Sequence, residues 1–80
     1  MTLRFIARDR STDGKNCPTV WVDDETRQLV IQGWKADDAM LAECLTVGPV
    51  PDSEAVVRLP VRMAAAIREA CDVAGRTFVR

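Results

Sequence analysis

The segment TVWVDDETRQLVIQ, residues 19–32, constrains this chain more than any other. β-Branched and aromatic residues alternate on both sides of Asp24-Glu25-Thr26-Arg27, which predicts a hairpin with strands over 19–23 and 28–33. A turn there pairs Val22 with Leu29 and Val20 with Ile31 on one face. It sets Trp21 beside Val30 on the other, with Trp34 at the same parity. Both faces are therefore partly apolar, which a sheet open to water on one side does not need. Either another part of this chain covers Trp21 or another molecule does.

The flanking sequence supplies the elements available for that task. Leu3, Phe5 and Ala7 alternate with Thr2, Arg4 and Ile6 and predict a strand near residues 2–7, with Leu3, Phe5 and Ala7 on one side. RDRSTDGKN, residues 8–16, gathers Ser, Thr, Asp, Gly and Asn and reads as a loop. Asp37 or Asp38 can cap a helix over 37–47 whose stripe is Met40, Leu41, Cys44 and Leu45, and Gly48-Pro49 stops it. Ala55–Leu59 reads as a further strand. Pro60 opens a last helix, because its missing N–H costs nothing there. Met63, Ile67, Ala70 and Ala74 recur at helical spacing, flanked by Ala64 and Cys71, and Gly75 is the expected stop. The expected order is β-β-β-α-β-α in a single small globular domain over 1–80. The fold class is α+β: a small antiparallel-rich sheet of about four strands with two helices. Parallel pairing of 28–33 with 55–59, through the 37–47 helix, is an open alternative.

Composition narrows the function. Apolar residues at 48% and charged residues at 29% argue against disorder, and 80 residues sit near the lower limit for unaided folding. A second subunit is thus a plausible supplement to so small a core. The net charge of −1 gives no general reason to bind nucleic acid or an anionic membrane. Charge is nevertheless segregated, at +2 over 1–16, −6 over 23–54 and +3 over 55–80. That pattern suits internal complementarity, or an acidic patch offered to a basic partner. MTLRFIARDRS has charges where a secretory apolar run would lie, and no stretch approaches the length of a membrane span. A reducing cytoplasm is the expected setting, with Cys17, Cys44 and Cys71 as buried, unpaired thiols.

Candidate chemistry is sparse. The chain has no His, which removes the usual general base, the Ser-His and Cys-His pairs and most transition-metal sites, and it has no Cys-x-x-Cys. Asp23-Asp24-Glu25 reads as turn chemistry, since consecutive carboxylates on a tight turn splay apart and no calcium-loop glycine follows. Gly14 stands alone, without a phosphate-cradling loop. The expectation is no enzyme, no catalytic residue, no metal and no cofactor. Arg58, Arg62, Arg68, Arg76 and Arg80 lie in the one segment that contains the last helix, which scatters them rather than gathering them on one face, so direct nucleic-acid binding is the second reading and a small enzyme the third. The tryptophans remain, either buried under the 37–47 helix or anchoring a partner, as Trp does at interface hot spots.

One resemblance bears on this. Ser11 with Gly14-Lys15-Asn16-Cys17, then Val20, Val22 and Leu29-Val30-Ile31, then Leu59-Pro60 with Met63 and Ile67, resemble the short uncharacterised actinobacterial proteins that accompany helix-turn-helix regulators. The resemblance covers about residues 11–67. The chain departs from the best-known of those families in lacking its opening Trp-x-Lys-Ser-Ser run and in having Gln32-Gly33-Trp34 where that family has Arg-Asp-Ser. It also has Met63 where that family prefers Trp, and it adds the 37–47 helix. The resemblance implies a regulatory accessory role through protein contact and no catalytic residue. The resulting expectation is a cytoplasmic protein-interaction module acting on a DNA-binding regulator, with a second copy of the chain as another candidate partner and neither membrane nor direct nucleic-acid contact. The candidate partner-binding residues are Trp21, Val30 and Trp34, with Asp23, Asp24 and Glu25 beside them.

Overall fold

A computed structural model describes residues 2–10 and 17–77, the side chains of Arg76 and Thr77 excepted. Ser11 and Gly14-Lys15-Asn16 of the family resemblance lie outside the described residues. The fold is α+β in the expected order, with one additional short strand. β1 (Leu3–Arg8), β2 (Thr19–Asp23) and β3 (Gln28–Gln32) form an antiparallel sheet in the order β1-β2-β3. β4 (Trp34–Lys35) and β5 (Val57–Arg58) form a second sheet, and the helices are α1 (Asp38–Leu45) and α2 (Ala64–Thr77).

The hairpin has the register expected from alternation: Val20 opposes Ile31, Trp21 opposes Val30 and Val22 opposes Leu29. Its turn is organised by Asp23, whose Oδ1 accepts the N–H groups of Glu25 at 2.9 Å and Thr26 at 3.2 Å. Arg27 closes it, donating its N–H to the Asp23 carbonyl at 3.0 Å with φ of 63°, a left-handed conformation unusual for a residue with a Cβ. The carboxyl of Asp23 is held below the ordinary 3.8, first by the Thr26 side chain and then by the two backbone donors, which together outweigh the cost of its burial.

β1 departs from simple alternation. Leu3 and Phe5 oppose Asp23 and Trp21, but the register shifts between Phe5 and Ala7, and Ala7 opposes Val20. An extra residue in one strand turns the following side chains over. Ile6 and Ala7 therefore both pack against the core, and Ala7 does not share a face with Leu3 and Phe5 as expected.

That core lies between the sheet and α2. Val20 and Val22, both 0% exposed, meet Met63, Ala66, Ala70 and Val73, with Leu59, Ile67 and Ala74 at the margin. Alanines on the contact face let the helix approach the strands, and each buried valine contributes about 1.5–3 kcal/mol. Pro60, at φ −64° and in an extended conformation, caps a 3-10 turn over Val61–Met63, and α2 itself begins after that turn, at Ala64 and not at the proline. Two further expectations for it fail. Cys71 is exposed, because it follows the buried Ala70 by a hundred degrees around the helix. The helix also continues past Gly75 to Thr77, and Gly75 does not adopt the left-handed conformation that would stop it. A bidentate ion pair fastens the end of β1 to the start of this unit, with Arg62 Nε and Nη2 donating to the buried Asp9 at 2.9 and 2.7 Å. Asp9 raises the pKa of the Arg62 guanidinium further.

α1 is shorter than the expected 37–47. Asp37 is its cap, accepting the Met40 N–H at 2.8 Å, and Thr46 ends it. No residue of α1 is buried: Leu41 and Cys44 are half-covered, while Met40 and Leu45 are exposed. The 55–59 strand is reduced to β5, which pairs antiparallel with β4 and not with β3, Trp34 opposing Arg58 and Lys35 opposing Val57. Gly33 permits that course. A Cβ there would sit 2.7 Å from the Arg58 carbonyl oxygen, so only glycine lets the returning chain pass.

Candidate functional site

The bulge in β1 and the alternation of β2 and β3 build one feature on the face of the sheet opposite α2. Phe5, Trp21 and Val30 stand side by side as a row across all three strands. Such cross-strand neighbours support one another laterally. Phe5 remains 59% exposed, while Trp21 and Val30 are half-buried. Among the described residues α2 packs on the Val20 and Val22 face, and α1 does not bury Trp21. Leu41 of α1 instead lines a groove with Ile31 and Val56.

Beside the row lies a shallow hollow of about 320 Å³, bounded by Phe5, Trp21, Arg8, Thr19, Gln32 and Cys17. Its polar groups are tied to one another. The Cys17 carbonyl accepts the Thr19 hydroxyl at 2.8 Å and Gln32 Nε2 at 3.0 Å, and Arg8 Nη2 donates to the Cys17 sulfur at 3.4 Å. The arrangement is an aromatic platform with a hydrogen-bonded, cationic margin.

Of the residues singled out in the sequence, the structure brings Trp21 and Val30 together and separates Trp34, which lies in the second sheet. There the Arg58 guanidinium carbon sits 5.5 Å from the Trp34 ring centroid, a cation–π distance within the chain. The acidic trio is divided. Asp23 is 2% exposed and its carboxylate is turned into the hairpin turn, as turn chemistry requires. Asp24 Oδ2 is held by Arg4 Nη2 at 2.8 Å, and Glu25 is exposed. Sequence reasoning missed Phe5 and Arg8 as members of the site. Only the partner register of β1 reveals them, and no turn links β1 to β2 closely enough to show it.

Among the described residues no group of three or more His, Cys, Asp or Glu side chains converges as a metal site would. None of the three cysteines forms a disulfide: Cys17 is buried, Cys44 half-buried and Cys71 exposed, so burial of all three is not observed. No described helix is long and apolar enough to cross a membrane. No family model, no curated protein and no solved structure matches the chain.

Proposed function

We propose that this chain is a protein-interaction module whose docking face is the outer side of the three-stranded sheet, with a DNA-binding regulator as its partner. The observation that carries the reading is the Phe5–Trp21–Val30 row. A sheet of three strands needs one covered face to hold its core, and α2 already covers it. A second apolar face with a largely exposed phenylalanine and a rigid indole is the composition of a binding hot spot. Arg8, Thr19 and Gln32 give it a polar rim, which sets register more than affinity. The regulator as partner rests on the family resemblance, and a cytoplasmic setting follows from the same reading. Asp23 and Asp24 are already engaged within the chain, so the face itself carries the contact and the acidic turn borders it.

The test is a calorimetric titration with a helix-turn-helix regulator, should the genes adjacent to this chain's encode one. Trp21→Ala weakens binding by about 2 kcal/mol or more, roughly thirty-fold in Kd, while circular dichroism stays that of the folded protein. Equal affinity for wild type and variant sinks the reading.

A second reading is favoured by the same row. Aromatics on a sheet face beside an arginine can stack unpaired bases. Quenching of tryptophan fluorescence by a single-stranded oligonucleotide, steeply weakened by salt, would select it over protein docking.

A further inference from the structure

The two edges of the three-stranded sheet are protected very differently. β1 carries a bulge and two arginines, the devices that keep an edge from pairing with other chains. β3, the other edge, reads Gln-Leu-Val-Ile-Gln, with no charge, no proline and no register shift against β2. Leu29 and Ile31 are 41% and 38% exposed on it.

The free hydrogen-bonding groups of that edge can be assigned. Asp24 donates its N–H to Thr2, and the Pro18 carbonyl accepts from Asp9, so even-numbered residues of β2 and its flanks turn towards β1. Backbone groups alternate along an antiparallel strand, so Thr19, Trp21 and Asp23 bond to Gln32, Val30 and Gln28. The N–H and C=O groups of Leu29 and Ile31 therefore point away from the sheet.

We infer that a second copy of this chain pairs there, β3 against β3, about a two-fold axis through Val30. The segment is self-complementary in that register. Gln28 meets Gln32 of the second copy, Leu29 meets its Ile31, and Val30 meets its Val30. Leu29 and Ile31 of one copy exchange both backbone bonds with Ile31 and Leu29 of the other, which satisfies every outward group of the edge on both sides. A contact that uses the same patch on both copies closes on itself as a dimer and does not propagate. The half-exposed Leu29 and Ile31 side chains cover one another across the axis. The outer faces merge into one six-stranded surface, carrying two Phe5–Trp21–Val30 rows end to end. The Gln32 end of the edge borders a groove of about 440 Å³ lined by Gly33, Glu54 and Val56. Docking of another protein on the outer face does not depend on this pairing.

Sedimentation equilibrium of the full chain tests it. The wild type is a dimer. Ile31→Pro removes an outward donor that makes no bond inside the sheet, a substitution that edge strands tolerate. It weakens dimerisation about a hundred-fold, since two symmetric bonds are lost, with circular dichroism unchanged. A wild-type monomer at all concentrations, or a dimer indifferent to Ile31→Pro, overturns the inference. If Ile31→Pro fails to fold, Val30→Cys in a Cys71→Ser background decides instead. Rapid disulfide cross-linking under mild oxidant supports an axis at Val30, and cross-linking no faster than in the Cys71→Ser parent refutes it.

Discussion

The two faces of the three-stranded sheet are made by alternate residues of the same strands, yet they end in opposite circumstances. Val20 and Val22 are 0% exposed beneath α2, whereas Phe5, two strand positions from Ala7 in sequence, stays 59% exposed beside Trp21. Apolar residues alone do not distinguish the faces. The difference lies in what α2 offers. Ala66, Ala70 and Val73, with Met63 from the preceding 3-10 turn, form one narrow stripe, able to cover a single face and no more. The two valines fit closely against the alanines of the helix, and Phe5 and Trp21 lie on the opposite face of the sheet.

Thiol reactivity should show the widest gap between covered and uncovered positions. Cys71, on the outer side of α2, should react with a thiol reagent at nearly the rate of an unfolded chain. Cys17 is buried and should react about a thousandfold more slowly, through unfolding. Equal rates, followed by mass spectrometry of the modified peptides, would contradict the assigned helix face. Next in size is Val22→Ala, which removes two methyl groups from the closed face and should cost ~2–3 kcal/mol in urea unfolding, at unchanged slope. Phe5→Ala removes a larger side chain from the open face and should shift stability by only ~0.5 kcal/mol. A loss as large as that of Val22→Ala would mean that Phe5 is covered in solution.

A smaller, pH-dependent effect concerns the turn joining the faces. Asp23 titrates below 3.8 in the folded chain, so its contribution is fully present above 3.8 and is lost as pH falls through the lowered value. Asp23→Asn should therefore flatten the fall in stability below pH 3.8, as read from urea midpoints. An unchanged slope would show that the turn does not depend on the ionised carboxylate.

Much of this was legible in the residues. The hairpin register followed from period-two alternation around a connection of known length, because neighbouring strands leave only one pairing that keeps Val20 and Val22 together. The Asp37-Asp38 pair marked the start of α1, and Pro60 the 3-10 turn that precedes α2, through local chemistry that needs no tertiary partner. The shift between Phe5 and Ala7 could not be read, since a bulge is defined against a partner strand that the β1 sequence does not contain. The 37–47 stripe was equally uninformative about covering Trp21, because Met40 and Leu45 are apolar yet exposed. Gly33 was visible, but its purpose depends on where residues 57–59 return. Membership of the site failed in the same way: Trp21 and Val30 belong to one hairpin and were found together, while Phe5 joins them only through the long connection.

The hairpin also has a history imposed by its position in the chain. Joined by a short turn, β2 and β3 can pair within microseconds of leaving the ribosome. The helix that shields Val20 and Val22 begins only at Ala64. At about 5–20 residues per second, its synthesis lags by seconds. During that interval both faces of the hairpin and its uncharged edge meet water and other nascent chains. Maturation is therefore a race between completing α2 and encountering another strand, and slower elongation over residues 33–63 would raise the share of chains lost to aggregation.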